Sequence, residues 1–110
     1  MNYPVDLSEP ALSDLLEIND YYLIEVDEYS VAKIIDRLEE AVNSLADLTE
    51  RGSIPKELRC LGICQYRQLI VKPYRIVYEQ LSDKVIVHAV LDGRRDMQTL
   101  LTQRFIMPNL

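Results

Sequence analysis

The chain has 110 residues, 48% of them hydrophobic, and a formal net charge of −6. That length accommodates one domain, residues 1–110, around one modest core, and no apolar run approaches the roughly 18 residues that cross a bilayer. The charge is uneven: residues 1–50 hold 13 acidic and 2 basic side chains (−11), residues 51–110 hold 5 and 10 (+5), so net acidity opposes non-specific phosphate binding by the surface as a whole.

Tyr3, Val5 and Leu7 alternate with polar or small residues and predict a short strand. The stretch Met1–Asp6 lacks the basic region and apolar run of a signal peptide, so a cytoplasmic protein is expected. Ser8 offers an N-cap oxygen, and Glu9 and Pro10 suit a first helical turn. Leu12, Leu15, Leu16, Asn19, Tyr22 and Leu23 follow at helical spacing, opposite Asp14, Glu17 and Asp20. This predicts an amphipathic helix over roughly Glu9–Glu25, its apolar face packed on something else. Asp27-Glu28 breaks it. Ser30 is placed as the cap of a second helix with the stripe Val31, Ile34, Ile35, Leu38, Val42, Leu45 and Leu48, closed by Gly52 as a left-handed C-terminal residue. The short joint makes the two helices an antiparallel hairpin.

Ser53–Ile63 reads as loop. Cys60 and Cys64 have a three-residue spacer and no further ligand set, so two reduced thiols and no metal are expected. Three strands are predicted at Gln65–Val71, Tyr74–Gln80 and Lys84–Leu91. The short joints Lys72-Pro73 and Leu81-Ser82-Asp83 require antiparallel pairing. Tyr74 and Tyr78 share one face, the pattern of packing rather than chemistry. His88 falls in the last strand; a base near neutral pH is one use of it, a histidine on a sheet face the commoner one. Arg94–Phe105 predicts a short helix with Met97, Leu100, Leu101 and Phe105 along one side. The order is β-α-α-β-β-β-α, an α+β chain with a helical hairpin packed on a small antiparallel sheet and a short C-terminal helix. The first strand is left free to sit at an edge or beside the last strand.

Over nearly its whole length this order resembles the RelE/ParE superfamily of toxins from bacterial type II toxin–antitoxin pairs. The most specific segments are Tyr66-Arg67, Pro73-Tyr74-Arg75-Ile76-Val77-Tyr78, Val90-Leu91-Asp92-Gly93-Arg94-Arg95-Asp96 and Leu100-Leu101. In the RelE branch, which cleaves ribosome-bound messenger RNA, proton transfer and phosphate stabilisation need arginines and a tyrosine. Arg95 matches a RelE arginine. The tyrosine position falls on Leu101 and a basic position on Met97, so two functional matches fail. The ParE branch lacks those residues and inhibits DNA gyrase by binding, without a catalytic residue or cofactor.

The resemblance therefore implies a ParE-like, non-enzymatic toxin. Arg94, Arg95, Met97, Leu101, Arg104 and Phe105 are the candidate gyrase contact. The same pattern is that of a helix packing on its own sheet. Arg67, Lys72 and Arg75 are the candidate antitoxin contact, with Arg67 and Arg75 on a shared solvent face. The implied antitoxin is a small DNA-binding protein that supplies a helix for the hairpin groove and a strand for a sheet edge, within a higher-order complex. No direct DNA reading and no membrane association are expected of the chain itself. A RelE-like endoribonuclease and an antitoxin-binding module without toxicity are the alternatives.

Overall fold

The computed structural model describes residues 2–47 and 51–107. Strand β1 (Val5–Leu7) leads into helix α1 (Glu9–Glu25), then helix α2 (Glu28–Ser44) and a one-turn helix α3 (Lys56–Arg59). Strands β2 (Tyr66–Val71), β3 (Tyr74–Gln80) and β4 (Val85–Asp92) follow, and helix α4 (Met97–Phe105) comes last. The sheet order is β1-β4-β3-β2. The three later strands pair antiparallel, as their short joints demand. β1 lies at an edge and beside the last strand, parallel to β4 with Val5 opposite Val85.

The sheet is covered on both faces. Leu69, Tyr74, Ile76, Tyr78, Val85, Val87 and Val90 face the hairpin and pack with Ala11, Leu38, Val42 and Leu45. Val77, Ala89 and Leu91 face the other way, onto Leu58, Met97 and Leu101. Two covered faces explain why β3 and β4 read as nearly continuous apolar runs rather than clean alternation. The register slips once: Val77 opposes Ala89 while Tyr78 opposes Val87. His88 is thus the extra residue of a bulge, which lets it and Ala89 serve the same side of the sheet.

Helix ends differ from the sequence expectation in instructive ways. Ser8 caps α1 as expected, its hydroxyl accepting from the Ala11 amide at 3.2 Å. The cap of α2 is Asp27, not Ser30: the carboxylate accepts from both the Ser30 amide (2.7 Å) and hydroxyl (3.1 Å). α4 begins at Met97, three residues later than expected, because Asp96 takes the cap by accepting from the Thr99 amide and hydroxyl. α2 ends at Ser44 with Leu45 as its cap, so Gly52 does not close it, and Leu48 lies outside the described residues.

The left-handed glycine is Gly62, at φ +79°. It ends α3, a helix inside the stretch expected to be loop. The Ile63 amide donates back to Leu58 O and the Gly62 amide to Arg59 O, a Schellman arrangement. Leu58 and Ile63 meet in the α4-side core, the apolar contact that accompanies such an ending. Gly52 is constrained by space instead. A Cβ there would run into the Gln68 carbonyl oxygen and the Tyr78 hydroxyl. The close approach lets the Gly52 amide donate to Tyr78 Oη at 3.0 Å.

Candidate partner-binding surfaces

The leucine stripe of α1 is where sequence and structure part most usefully. Its fully buried residues are Ala11 and Asp14, not the leucines. Leu16 is 56% exposed, and Leu12 and Leu23 are exposed too. Leu12, Leu15 and Leu16 form one wall of an open groove of about 580 Å³, with Ile35, Leu38 and Val42 of α2 opposite and Val5 and Leu7 of β1 at one end. Glu39 is its one charged lining residue. A groove with this lining fits the apolar face of an amphipathic helix.

Asp14, expected in water, is 7% exposed and works across the sheet edge. β1 stops at Leu7, and among the described residues no strand neighbours the outer edge of β4 beyond Val87. Asp14 accepts from the Val90 amide at 2.9 Å and from Arg104 at 3.0 and 3.1 Å. Arg104 also donates to His88 O at 2.9 Å. One ion pair thereby satisfies an amide and a carbonyl that a longer β1 would have paired, and ties α4 to α1 around the edge.

This places the candidate toxicity residues in two groups. Met97 and Leu101 are buried in the α4-side core, Phe105 is half-buried against Tyr66 at 4.4 Å between ring centroids, and Arg104 is held by Asp14. Arg94 and Arg95 are exposed at the β4–α4 turn. Arg94 makes a close pair with Asp92 (2.7 Å), and its guanidinium holds the Asp92 carboxyl below the ordinary carboxylate range. Thr99 does the same for Asp96 through the cap hydrogen bonds. Both arginines border a cleft of about 340 Å³ against Glu17, Tyr21 and Tyr22 of α1. Inside it Tyr74 donates to Tyr22 Oη at 3.2 Å, and burial, first, pushes the Tyr74 phenol well up.

The expected shared face for Arg67 and Arg75 is not observed. Arg67 opposes Tyr78 and Arg75 opposes Ile70, so they point to opposite sides of the sheet. Arg67 donates to Gly52 O at 2.8 Å on the hairpin side. Arg75 pairs with buried Glu57 of α3 at 2.9 Å on the other. Lys72 is exposed beside them, and its carbonyl accepts a long 3.5 Å contact from Arg37.

His88 sits in an aromatic cluster with Tyr66 (5.4 Å) and Phe105 (5.8 Å) and shares a 3.0 Å hydrogen bond with Glu79. Burial, then the Glu79 charge, raise the Tyr66 phenol. Cys60 and Cys64 are free and exposed. Among the described residues no group of His, Cys, Asp and Glu can hold a metal ion, and no helix is long and apolar enough to cross a membrane.

The family model described as "ParE toxin of type II toxin-antitoxin system, parDE" matches residues 5–97. The chain belongs to the ParE toxin family. The ParE fold is seen again in a solved structure titled "Chromosomal ParDE TA system from P. aeruginosa", at a TM-score of 0.67 and 18% identity, over 80% of this chain and 92% of that one. No curated protein sequence matches this ParE chain. The sequence signal that would have found the groove was present: a leucine stripe on a helix whose opposite side carries an aspartate that the sheet edge needs. Nothing in the sequence marked Asp14 as the partner of Arg104, ninety residues away.

Proposed function

We propose that this ParE-family toxin inhibits DNA gyrase by binding rather than by chemistry, and that a cognate antitoxin neutralises it by laying a helix in the α1–α2–β1 groove. The observation that carries the antitoxin half is the exposed leucine stripe. A helix face of this size left open to water is costly for a free protein and typical of a partner site. The non-catalytic half is supported by Met97 and Leu101, which stand where the nuclease branch carries a basic residue and a tyrosine, and which are buried in the core. Neither can move a proton or meet a phosphate.

Within this reading Arg95, with Arg94, supplies the cationic contact to gyrase. Met97, Leu101, Phe105 and Arg104 hold α4 so that the turn is presented correctly. Arg67 and Arg75 act on the antitoxin through the strands they brace, while Lys72 is free to meet it directly. The deciding experiment incubates purified toxin with gyrase, ATP and plasmid, scoring supercoiling and trapped double-strand breaks together. Loss of supercoiling with accumulation of cleaved DNA, reversed by the antitoxin, is expected. No effect at micromolar toxin would refute the gyrase reading.

A second reading has one observation in its favour. His88, bonded to Glu79 beside Tyr66, is a proton-accepting pair of the kind a ribonuclease uses. Messenger RNA cleavage on induction, abolished by His88→Gln, would establish it over gyrase inhibition.

A further inference from the structure

The connection between α1 and α2 is two residues long, and around it lies a run of exposed apolar side chains that neither the hairpin groove nor the core absorbs. Ile24 is 79% exposed and Tyr29 69%. Tyr21, Leu23 and Val26 are exposed as well. All lie within nine consecutive residues at the far tip of the hairpin.

The same tip is ringed by carboxylates: Asp20, Glu25, Asp27 and Glu28, with no cation before Lys33, which sits over the Tyr29 ring at 4.7 Å. Two helix ends of opposite sign meet here, and Asp27 and Glu28 already serve the positive N-terminus of α2. α1 ends here, its last turn has no basic residue, and Glu25 occupies the position where a helix C-terminus favours a cation. Asp20 and Glu25 have no such helix-end role, and carboxylates left uncompensated beside exposed apolar side chains are the mark of a surface shaped by something outside the chain.

We infer that the hairpin tip is a docking site for a protein surface that presents lysine or arginine side chains around an aliphatic or aromatic strip. The inference rests on the gyrase reading in assigning that surface to the toxin's target. The acidic ring excludes a second copy docking tip to tip, because like charges would be brought together. It equally excludes nucleic acid. The antitoxin helix is accounted for by the groove, which uses Leu12 and Leu16 rather than Ile24 and Tyr29. Tyr21 also lines the cleft that holds Arg94 and Arg95, so the tip continues into the cationic turn already assigned to the target. The target would meet two charged regions of opposite sign, which fixes its orientation.

The test titrates immobilised gyrase holoenzyme with wild type, Ile24→Ser/Tyr29→Ser and Glu25→Lys, at low and moderate salt, with antitoxin affinity measured in parallel. Glu25→Lys is informative because it places a cation in the last turn of α1, where the helix end favours one, and the melting temperature of the variant checks that the fold is kept. A loss of tenfold or more in gyrase affinity for both variants, with antitoxin affinity unchanged, is expected. Unchanged gyrase affinity overturns the inference. If wild type itself does not bind gyrase, the gyrase reading has failed, and growth arrest on induction decides. Variants that arrest growth as fully as wild type, or a wild type that arrests nothing, overturn the tip assignment. Loss of arrest in both variants with antitoxin binding intact supports it with a different target.

Discussion

Asp14 and Arg104 replace a strand with two side chains, and the energetics of that arrangement are lopsided. The pair is nearly dry on the Asp14 side (8% side-chain exposure) and partly wet on the Arg104 side (26%). Forming such a pair gains little net stability, but removing one member strands the other along with a β4 amide or carbonyl. Asp14→Ala should therefore lower unfolding free energy by about 3 kcal/mol, read from the midpoint and slope of a urea titration. Arg104→Ala should cost a similar amount and the double variant much less than the sum, because the two act as one unit. A toxicity defect in Arg104→Ala is therefore a statement about fold until the folded fraction is measured, whereas Arg95→Ala, at an exposed site, reports on the target. Asp92 gives a pH signature. Arg94 lowers its folded carboxyl pKa, so the unfolded chain takes up the proton first on acidification. The pair's stabilisation is present above the unfolded carboxylate value near pH 4 and lost as pH falls through the lower folded value. Arg94 is exposed, so solvent screens the pair and the effect is small. Asp92→Asn should shift the urea midpoint slightly at pH 7, and that difference should close as pH falls through the lowered value of the folded carboxyl.

At the scale of elements, close packing rather than propensity decides the loop between α2 and β2. Gly52 passes so near Gln68 and Tyr78 that any side chain displaces them. Gly52→Ala should cost about 2 kcal/mol through overpacking and loss of the Tyr78 hydrogen bond, again measurable by urea denaturation. The two later hairpins, the long helices and the last helix were legible in the sequence because their signals are local: short joints, β-branched runs, a cap residue and a helical stripe. Gly52 and Gly62 were not distinguished, since a glycine near a helix end announces permission for a conformation, not which conformation is used. α3 escaped because four residues are too few to show a period. The most consequential difference is α1. Its periodicity identifies an apolar side correctly, yet periodicity carries no information on whether the covering partner belongs to the same chain. Similarly, Arg67 and Arg75 are eight residues apart across a turn, and only the register shows that they serve opposite faces.

For the whole molecule, the groove makes free and antitoxin-bound toxin differ in stability by an amount that can be bounded in advance. A partner that binds only the folded chain stabilises it by about 4.1 kcal/mol when present at a thousand times its Kd. For a chain of this size each kcal/mol corresponds to roughly 4 °C in melting temperature, so saturating antitoxin should raise Tm by roughly 15 °C. Leu12→Glu/Leu16→Glu separates this from any general effect of a second protein. Both leucines already face water in the free toxin, so the double variant should melt within about 4 °C of wild type, as surface substitutions usually change stability by less than about 0.5 kcal/mol each. Placing two carboxylates inside an apolar interface without partners should, however, abolish the antitoxin-induced shift. A variant that still gains the full shift would mean that the antitoxin docks elsewhere, with the sheet edge at β2 the next surface to probe. A variant that melts far below wild type would mean that the stripe is core after all and the groove closed in solution. Differential scanning calorimetry with and without antitoxin therefore distinguishes a partner site from an open seam in the fold, using one pair of residues.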